Sequence, residues 1–444
     1  MFSKIELSLS RINYKLFFAL LVLGLAPTVY TTLRVFFLGQ LPGEWAFSIA
    51  GQLTWVNLLY EVLCEAIILP LFYFVGKVKN DRQKFSNRVA TGMLITAGIY
   101  AVLSAAISVF ARPLLSFMAA DNSILDASAR YIRIESVANI FSVLAQFALV
   151  ALVTVNKSKY LYILTALRLA LSVAVDTFFV SSLPISLQLG VDGIAISNIL
   201  VNAVLLGISL ILLKKENIRF PAVKRLSFAW TGDFLRVGGI SGLESLVRNL
   251  AYMLMIARMV NMVGEQGTYW VANNFIWGWL LLPVLQLGEL IKQETAADED
   301  NVRRNTLGYF AITTMIVGAW LVSIPLWRPF MTHVLSYGDV DKLMLLVLTL
   351  VGFYVLFAYQ NVFDATFYGL GKTNYMLFES VVTNTVYYGA AFVLYLTKVW
   401  VPSLMGIALL FGIGNAFDSL VSFVAYRQLL KKRKIDIFSL DKKN

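Results

Sequence analysis

The sequence predicts an all-α integral membrane protein with twelve transmembrane helices arranged as two six-helix repeats. Of its 444 residues, 59% are hydrophobic and 14% are charged, whereas soluble domains average about 25% charged residues. Apolar runs of about 20 residues, the length at which a helix spans a bilayer, recur from end to end with short polar breaks. The two halves of the chain also resemble one another. These three observations together predict the fold class.

The apolar runs place the spans in chain order, because each run is bounded by charged or turn-forming residues. The predicted spans are residues 14–38, 47–76, 88–111, 129–154, 158–183, 190–213, 234–262, 268–293, 305–327, 342–369, 374–397 and 402–429.

The distribution of Lys and Arg predicts the orientation of these spans. When connections are assigned alternately to two sides, one side receives almost all the positive charge, including "GKVKNDRQKFSNR" at 76–88 and "KKENIRFPAVKR" at 214–225. Cytoplasmic loops carry such an excess, so we expect both termini in the cytoplasm and a multi-pass protein of the plasma membrane. The net charge of +11 is then a topology signal that faces anionic lipid, and we expect no nucleic-acid partner.

The chain has one cysteine, Cys64, and one histidine, His333. A single cysteine allows no disulfide within the chain. The sequence also offers no His/Cys cluster for a metal and no Ser/His/Asp set of the usual kind. We therefore expect no enzyme activity, no cofactor and no metal site.

Ordered self-similarity between the halves predicts a duplication. "NKSKYLYILTALRL" at 156–169 corresponds to "GKTNYMLFESVVTN" at 371–384, and both enter a span from the cytoplasmic side. We expect an N-lobe at 1–213, a cytoplasmic loop at 214–233, a C-lobe at 234–429 and a basic tail at 430–444. Repeats of even helix number share one orientation, and in this architecture we expect substrate between the lobes and alternating access by rocking. We also expect a monomer.

Several landmarks then resemble the multidrug and toxic compound extrusion (MATE) transporters of the multidrug, oligosaccharidyl-lipid and polysaccharide exporter superfamily. The resemblance rests on the following segments: "LAPTVYTTLRVFFLGQL", "RYIRIESVANIF", "ALRLALSVAVDTFFV", "LGVDGIAISNI", "VGGISGLESLVRNLAYMLMIARMVNMVG" and "FYGLGKTNYMLFESVVTN". It implies a two-lobed exporter with a central cleft that expels drug-like molecules against entry of sodium ions or protons.

Departures from the family pattern put the coupling site in question. The family usually has an aspartate five residues before the glycine that closes span 1, and here that residue is Arg34. The acidic partner on span 5 is retained as Asp176, but the asparagine one turn earlier is Ser172. Some branches have a glutamate where this chain has Asn249, and Asp364 loosely resembles a cation-site aspartate of other branches.

Charged residues inside spans usually face a bundle interior and pair with one another. Arg34 and Asp176 lie at similar depth, about five and seven residues from the outer ends of their spans at about 1.5 Å per residue. We therefore expect them to pair, with the arginine in place of the family's cation. The alternative is that Arg34 extends to the outer headgroups.

Span 2 carries the sharpest polar stripe, with Asn57, Glu61 and Glu65 on one helical face. Glu65 lies at about the depth of Arg168, which predicts a second ion pair. An unpaired buried carboxylate can carry a proton, so Glu61 is the candidate coupling residue. A fixed salt-bridge network that holds the lobe together is an equal alternative.

In the predicted C-lobe, Glu244 and Arg248 lie four residues apart and can satisfy one another. Glu289, Asp364 and Glu379 cluster near the cytoplasmic ends, where we expect closing salt bridges or solvation. Aromatic residues at 269–280 are expected to pack against lipid or, less often, to line a pocket. The candidate substrate cleft consists of Asn57, Arg248, Asn249, Gln286, Gln360 and Asn384.

The sequence therefore favours a secondary active exporter of amphipathic small molecules, driven by protons or sodium ions and embedded in the lipid bilayer. The main alternative is a flippase for a lipid-linked saccharide or another anionic amphiphile, because intramembrane arginines can bind an anionic headgroup. A membrane-embedded enzyme acting on lipid would need a nucleophile or metal constellation that the sequence does not offer. A sensor without transport has no sequence support.

Overall fold

The structure is a computed structural model that describes residues 2–41, 45–155, 157, 159–218, 220–222 and 225–437, without the side chains of residues 2, 69, 72 and 244. Within these ranges the chain forms helices and no strand. The helices of the first half are α1 (Phe2–Ser10), α2 (Tyr14–Gly39), α3 (Ala46–Gly51), α4 (Leu53–Gly76), α5 (Arg82–Phe117), α6 (Leu125–Thr154), α7 (Lys159–Phe179) and α8 (Gly190–Lys215). Those of the second half are α9 (Thr231–Tyr252), α10 (Arg258–Met262), α11 (Gln266–Phe275), α12 (Leu282–Ala297), α13 (Asn301–His333), α14 (Val340–Gly369), α15 (Thr373–Val382), α16 (Gly389–Leu396) and α17 (Leu404–Arg433).

The all-helical, multi-span class is confirmed. Nine helices among the described residues are long and apolar enough to cross a membrane, or ten when a bent pair counts as one span. That pair, Gln266–Leu280 and Leu282–Ala297, bends by 52° next to Pro283, whose ring cannot continue the helical hydrogen bonds. It covers the predicted eighth span, and the count of twelve stays a prediction.

Among the described residues, three π-helical turns interrupt the helices of the second half: Met253–Ala257, Ile276–Leu280 and Thr383–Tyr388. The first joins α9 to α10 and the third joins α15 to α16, at the places of the predicted seventh and eleventh spans. A π turn inserts an extra residue into the helical repeat, and such turns are frequent at functional sites. They are one physical feature that hydropathy does not reveal.

Contacts divide the chain into two compact units. The N-terminal unit is Leu33–Trp270, and the C-terminal unit is Met1–Thr32 together with Val271–Asn444. This division differs from the predicted lobes at 1–213 and 234–429, because it groups α9 and α10 with the N-terminal unit. The predicted lobes, the loop at 214–233 and the tail at 430–444 stay predictions.

In the N-terminal unit, α6 packs against α5 and α8, and α4 packs against α9. The α4–α9 contact is close, because a Cβ added at Gly242 would lie 2.9 Å from the Cβ of Ala66. Small residues allow such approach between helices in a membrane, where packing replaces the hydrophobic effect as the driving force. Trp55, Phe147 and Phe234 fill the core of this unit and are almost completely buried.

In the C-terminal unit, α14 packs against α12 and α17. The rings of Phe363 and Tyr426 lie 4.8 Å apart at this contact. The short helix α1, which hydropathy does not distinguish from a polar leader, packs against α13. There Ser8 Oγ accepts a hydrogen bond from the backbone nitrogen of Gly308 at 2.9 Å. These contacts hold the start of the chain within the C-terminal unit.

Candidate functional site

Arg34 forms a buried ion pair with Asp176 in the N-terminal unit. The guanidinium Nε donates to Asp176 Oδ2 at 2.6 Å and Nη2 donates to Oδ1 at 3.3 Å. The side chain of Arg34 is 12% exposed and that of Asp176 is 0% exposed. The predicted pairing is confirmed, and the alternative in which Arg34 only reaches the headgroups is excluded. Ser172 is buried one turn before Asp176 on α7.

The pair continues into a chain of hydrogen bonds across α2, α7, α8 and α6. Arg34 Nη2 also donates to Asn198 Oδ1 at 2.7 Å, and Asn198 Nδ2 donates to Glu135 Oε1 at 2.8 Å. Glu135 is 9% exposed, and its other oxygen, Oε2, is buried without a hydrogen-bond partner. The network therefore contains one guanidinium, that of Arg34, and two carboxylates, those of Asp176 and Glu135. Of the two carboxylates, Glu135 is the one with an oxygen that lacks a hydrogen bond.

Sequence reasoning missed Glu135 and Asn198. Both lie in segments that carry the family resemblance, "RYIRIESVANIF" and "LGVDGIAISNI". A glutamate inside a predicted span is itself a signal, because intramembrane carboxylates are expensive and usually functional.

A polar cavity of about 350 Å³ lies beside Glu135 in the N-terminal unit. On α6 the side chains of Glu135, Asn139, Ser142 and Gln146 line it, at spacings that put all four on one helical face. From α4 the cavity receives Asn57, Tyr60, Glu61 and Cys64. Two carboxylates, the predicted Glu61 and the unpredicted Glu135, therefore line the same cavity.

A second cavity of about 330 Å³ adjoins the first and shares Ser142 and Gln146 as lining residues. Arg168 of α7 lines it together with Thr165 and Ser209. The polar face of α6 thus lines both cavities, with Glu135 in the first and Arg168 of α7 in the second.

The predicted pairing of Glu65 with Arg168 is wrong. Glu65 Oε1 instead accepts a hydrogen bond from Arg248 Nη2 at 2.5 Å, because α4 packs against α9. Depth along the helices matched Glu65 to Arg168, but the neighbouring helix decides the partner. The predicted pair of Glu244 with Arg248 involves the Glu244 side chain, which lies outside the described residues.

The predicted cleft residues divide between the two units. Asn57, Arg248 and Asn249 belong to the N-terminal unit, where Asn249 Nδ2 donates to Ser245 Oγ at 3.4 Å. The set of the C-terminal unit is Gln286, Gln360 and Asn384. A single cleft that joins the two sets stays a prediction.

Gln286 and Asn384 have local contacts in the C-terminal unit. Gln286 lies against Gly24 of α2, where an added Cβ would meet Gln286 Nε2 at 2.7 Å. Asn384 Nδ2 donates to Ser380 Oγ at 3.3 Å.

The three acidic residues predicted near the cytoplasmic ends have different partners. Glu289 Oε1 pairs with Lys292 Nζ at 2.6 Å. Asp364 and Glu379 instead converge on the buried amide of Gln360, which donates to both. The Glu289 pair lies within α12 and closes no gap between helices, and the expected solvation is wrong for Glu379, which is 3% exposed.

The MatE family model matches residues 78–178, and no curated protein matches the chain. An inward-facing structure of a multidrug resistance MATE family transporter of the MOP superfamily superposes with a TM-score of 0.76 at 18% identity, covering 92% of this chain and 95% of that chain. An outward-facing structure of a multidrug resistance MATE family transporter has a TM-score of 0.69 at 17% identity, covering 95% and 96%.

A third similar structure is a MOP superfamily transporter from Pyrococcus furiosus, with a TM-score of 0.67 at 19% identity, covering 97% of this chain and 98% of that chain. Its description states that reverse polarity of its binding pocket suggests a different function. The resemblance to MATE transporters that the sequence indicates is thus confirmed by the family segment and by the fold.

Proposed function

We propose that this chain is a secondary active exporter of amphipathic small molecules, driven by a proton or sodium gradient, that works by alternating access in the plasma membrane with both termini in the cytoplasm. The MatE segment and the MATE fold support transport. The fold occurs in inward-facing and outward-facing structures, which is the pair of states that alternating access requires.

The observation that carries the proposal is the cavity shared by Glu61 and Glu135, tied through Asn198 to the Arg34–Asp176 pair. Arg34 supplies a fixed positive charge beside Asp176, so this aspartate has no need of a bound cation. Coupling then passes to the carboxylates that face the cavity. Protonation of Glu135 would supply a donor at the oxygen that lacks a partner, and protonation of Glu61 would remove a charge from the cavity wall.

Transport into proteoliposomes tests this proposal. A cationic dye is offered under an imposed proton or sodium gradient to the wild type, Glu61→Gln and the control Asp126→Asn. Asp126 is a matched carboxylate in the same unit whose side chain is 80% exposed and pairs with Arg112 at the surface. We expect gradient-driven uptake in the wild type and the control, with loss of the gradient dependence in Glu61→Gln. Normal gradient dependence in Glu61→Gln would remove Glu61 from the coupling step, and absence of uptake under both gradients would refute antiport of this cargo.

A second candidate is a flippase for a lipid-linked saccharide or another anionic amphiphile. Arg168 in the second cavity favours it, because a guanidinium matches a phosphate or carboxylate in two parallel hydrogen bonds. The reversed polarity described for the Pyrococcus furiosus transporter parallels the charge reversal at Arg34. Translocation of a fluorescent anionic lipid that Arg168→Gln abolishes, together with unchanged dye accumulation, would support the flippase over the exporter.

A further inference from the structure

Three acidic side chains meet around one amide inside the C-terminal unit. Gln360 Nε2 on α14 donates toward Glu379 Oε1 of α15 at 2.6 Å, Asp418 Oδ2 of α17 at 2.7 Å and Asp364 Oδ2 at 3.2 Å. Gln360 is 2% exposed and Glu379 is 3% exposed. We call Asp364, Glu379 and Asp418 the acidic triad.

The hydrogen-bond donors around the acidic triad are distributed unequally among its three carboxylates. Asp418 Oδ1 accepts from Thr383 Oγ1 at 2.6 Å, and Asp364 Oδ1 accepts from Ser422 Oγ at 2.7 Å. Glu379 Oε1 accepts from the shared amide of Gln360, and Glu379 Oε2 is buried without a hydrogen-bond donor. Since an amide nitrogen carries two hydrogens, three carboxylates on one amide leave an acceptor without its own donor.

The charges are also too close to coexist. The amide distances place the nearest oxygens of Glu379 and Asp418 no more than 5.3 Å apart, the sum of 2.6 and 2.7 Å. Two carboxylates that share a site force one of them to hold a proton. Glu379 and Asp418 also lie within side-chain hydrogen-bonding reach of each other, which two ionised carboxylates cannot use because both are acceptors only.

The groups that face the acidic triad from neighbouring helices do not remove this conflict. From α12, Lys292 acts electrostatically on Asp364, but its Nζ is bonded to Glu289 at 2.6 Å and lies 5.0 Å from the ring of Tyr368. On α17, the Tyr426 hydroxyl is engaged with Thr306 of α13.

We propose that the acidic triad is a proton-binding site of the C-terminal unit, with the exchangeable proton on Glu379. A neutral Glu379 donates its O–H to Asp418, while the two aspartates keep their hydroxyl donors and the amide. A proton fits better than a metal ion, because among the described residues no group of three or more His, Cys, Asp or Glu side chains is arranged to hold a metal ion. This goes beyond the proposed function, which places coupling at Glu61 and Glu135 of the N-terminal unit.

Infrared difference spectroscopy of the purified full-length protein tests the site without any transport step. We expect the wild type at neutral pH to show the carbonyl stretch of a protonated carboxyl that shifts in heavy water. Glu379→Gln should lose this band. The control Glu299→Gln should keep it, because Glu299 is a 65% exposed carboxylate of the same unit that pairs with Arg433. Asp418→Asn should move the midpoint at which the band titrates to lower pH, because a neighbouring negative charge is removed.

A band that persists unchanged in Glu379→Gln would overturn the assignment, and so would a band that sodium abolishes while radioactive sodium binds in its place. Thermal unfolding provides a second measurement. Gln has nearly the shape of a neutral Glu and can also donate to Asp418, so Glu379→Gln should unfold at the wild-type midpoint at neutral pH. A midpoint well below that of Glu299→Gln would show that Glu379 is ionised and would overturn the proposal. These readouts stand whether or not the exporter proposal holds.

Discussion

Replacement of Arg34 by methionine tests the ion pair that defines the N-terminal unit. The change keeps most of the apolar stem of the side chain but removes the donors at 2.6 and 3.3 Å from Asp176 and at 2.7 Å from Asn198. Asp176 is then a carboxylate with 0% exposure and no cation. Breaking a buried ion pair in this way destabilises a protein by about 3–5 kcal/mol. At about 2 °C per kcal/mol, the apparent unfolding midpoint should fall by roughly 6–10 °C.

The partner change, Asp176→Leu, should be milder. Arg34 keeps 12% exposure and lies near the C-terminal end of α2, so its long side chain can move its charge toward the headgroups. The double variant Arg34→Met/Asp176→Leu removes both charges, and such apolar replacements of buried pairs are often neutral or stabilising. We therefore expect the double variant to recover most of the lost stability, with a coupling of about 2–3 kcal/mol between the two sites.

The assay is thermal unfolding in detergent micelles at one fixed heating rate, because large proteins often unfold irreversibly and their midpoints depend on the scan rate. Asp126→Asn is the control, and its surface location should keep its effect within about 0.5 kcal/mol. If the effects of Arg34→Met and Asp176→Leu simply add in the double variant, the two side chains do not depend on one another and the reasoning fails.

Three further predictions follow from the same unit. Gly238→Ala should destabilise the α4–α9 contact by about 1–3 kcal/mol through overpacking, because a Cβ at this position meets the α4 backbone. In the control Gly239→Ala, no atom lies within 4 Å of the added Cβ, so the unfolding midpoint should not fall. Glu65→Arg should lower the free energy of unfolding by about 1 kcal/mol, since the pair with Arg248 is partly exposed. Arg248→Glu in the same chain should restore the wild-type midpoint, and no restoration would show that the 2.5 Å contact contributes nothing. Glu135→Gln should keep the wild-type midpoint but reduce proton movement per transported dye in proteoliposomes, and an unchanged ratio would exclude Glu135 from coupling.

The sequence shows how far along its span each charged residue lies, but it does not show which helix packs beside it. Arg34 and Asp176 could be paired from their distances to the outer ends of their spans, because a helix advances by a constant rise per residue. The same reasoning matched Glu65 to Arg168, and it failed because α4 packs against α9, where Arg248 is available. Hydropathy and periodicity show which face of a helix is polar but not which helix that face meets.

The acidic triad shows the same limit. Asp364 and Glu379 could be placed at similar depth, but Asp418 joins them only through the packing of α14 and α15 against α17. The third π turn begins at Thr383, the residue whose hydroxyl donates to Asp418. A π turn changes the register of the side chains that follow it, so a projection based on 3.6 residues per turn cannot place Asn384 and the later residues of this span correctly.

The charge reversal at Arg34 has a consequence for where coupling can occur. In the N-terminal unit, an arginine that is effectively always protonated neutralises Asp176 permanently, so the pair cannot exchange a cation during a transport cycle. Two other carboxylates lie close to this pair: Glu135, which is linked to Arg34 through Asn198, and Glu61, which lines the same cavity as Glu135. In the C-terminal unit, the acidic triad surrounds the neutral amide of Gln360, and Lys292 is paired with Glu289. A bound proton therefore balances the negative charge of the triad. Substitution of Arg34 by aspartate should therefore create a second site of the acidic type beside Asp176, where two carboxylates must share a proton. Infrared spectra of Arg34→Asp should then show a protonated carboxyl at neutral pH in addition to the one that Glu379→Gln removes. If no second carboxyl appears, Arg34 is not the group that balances the charge of Asp176.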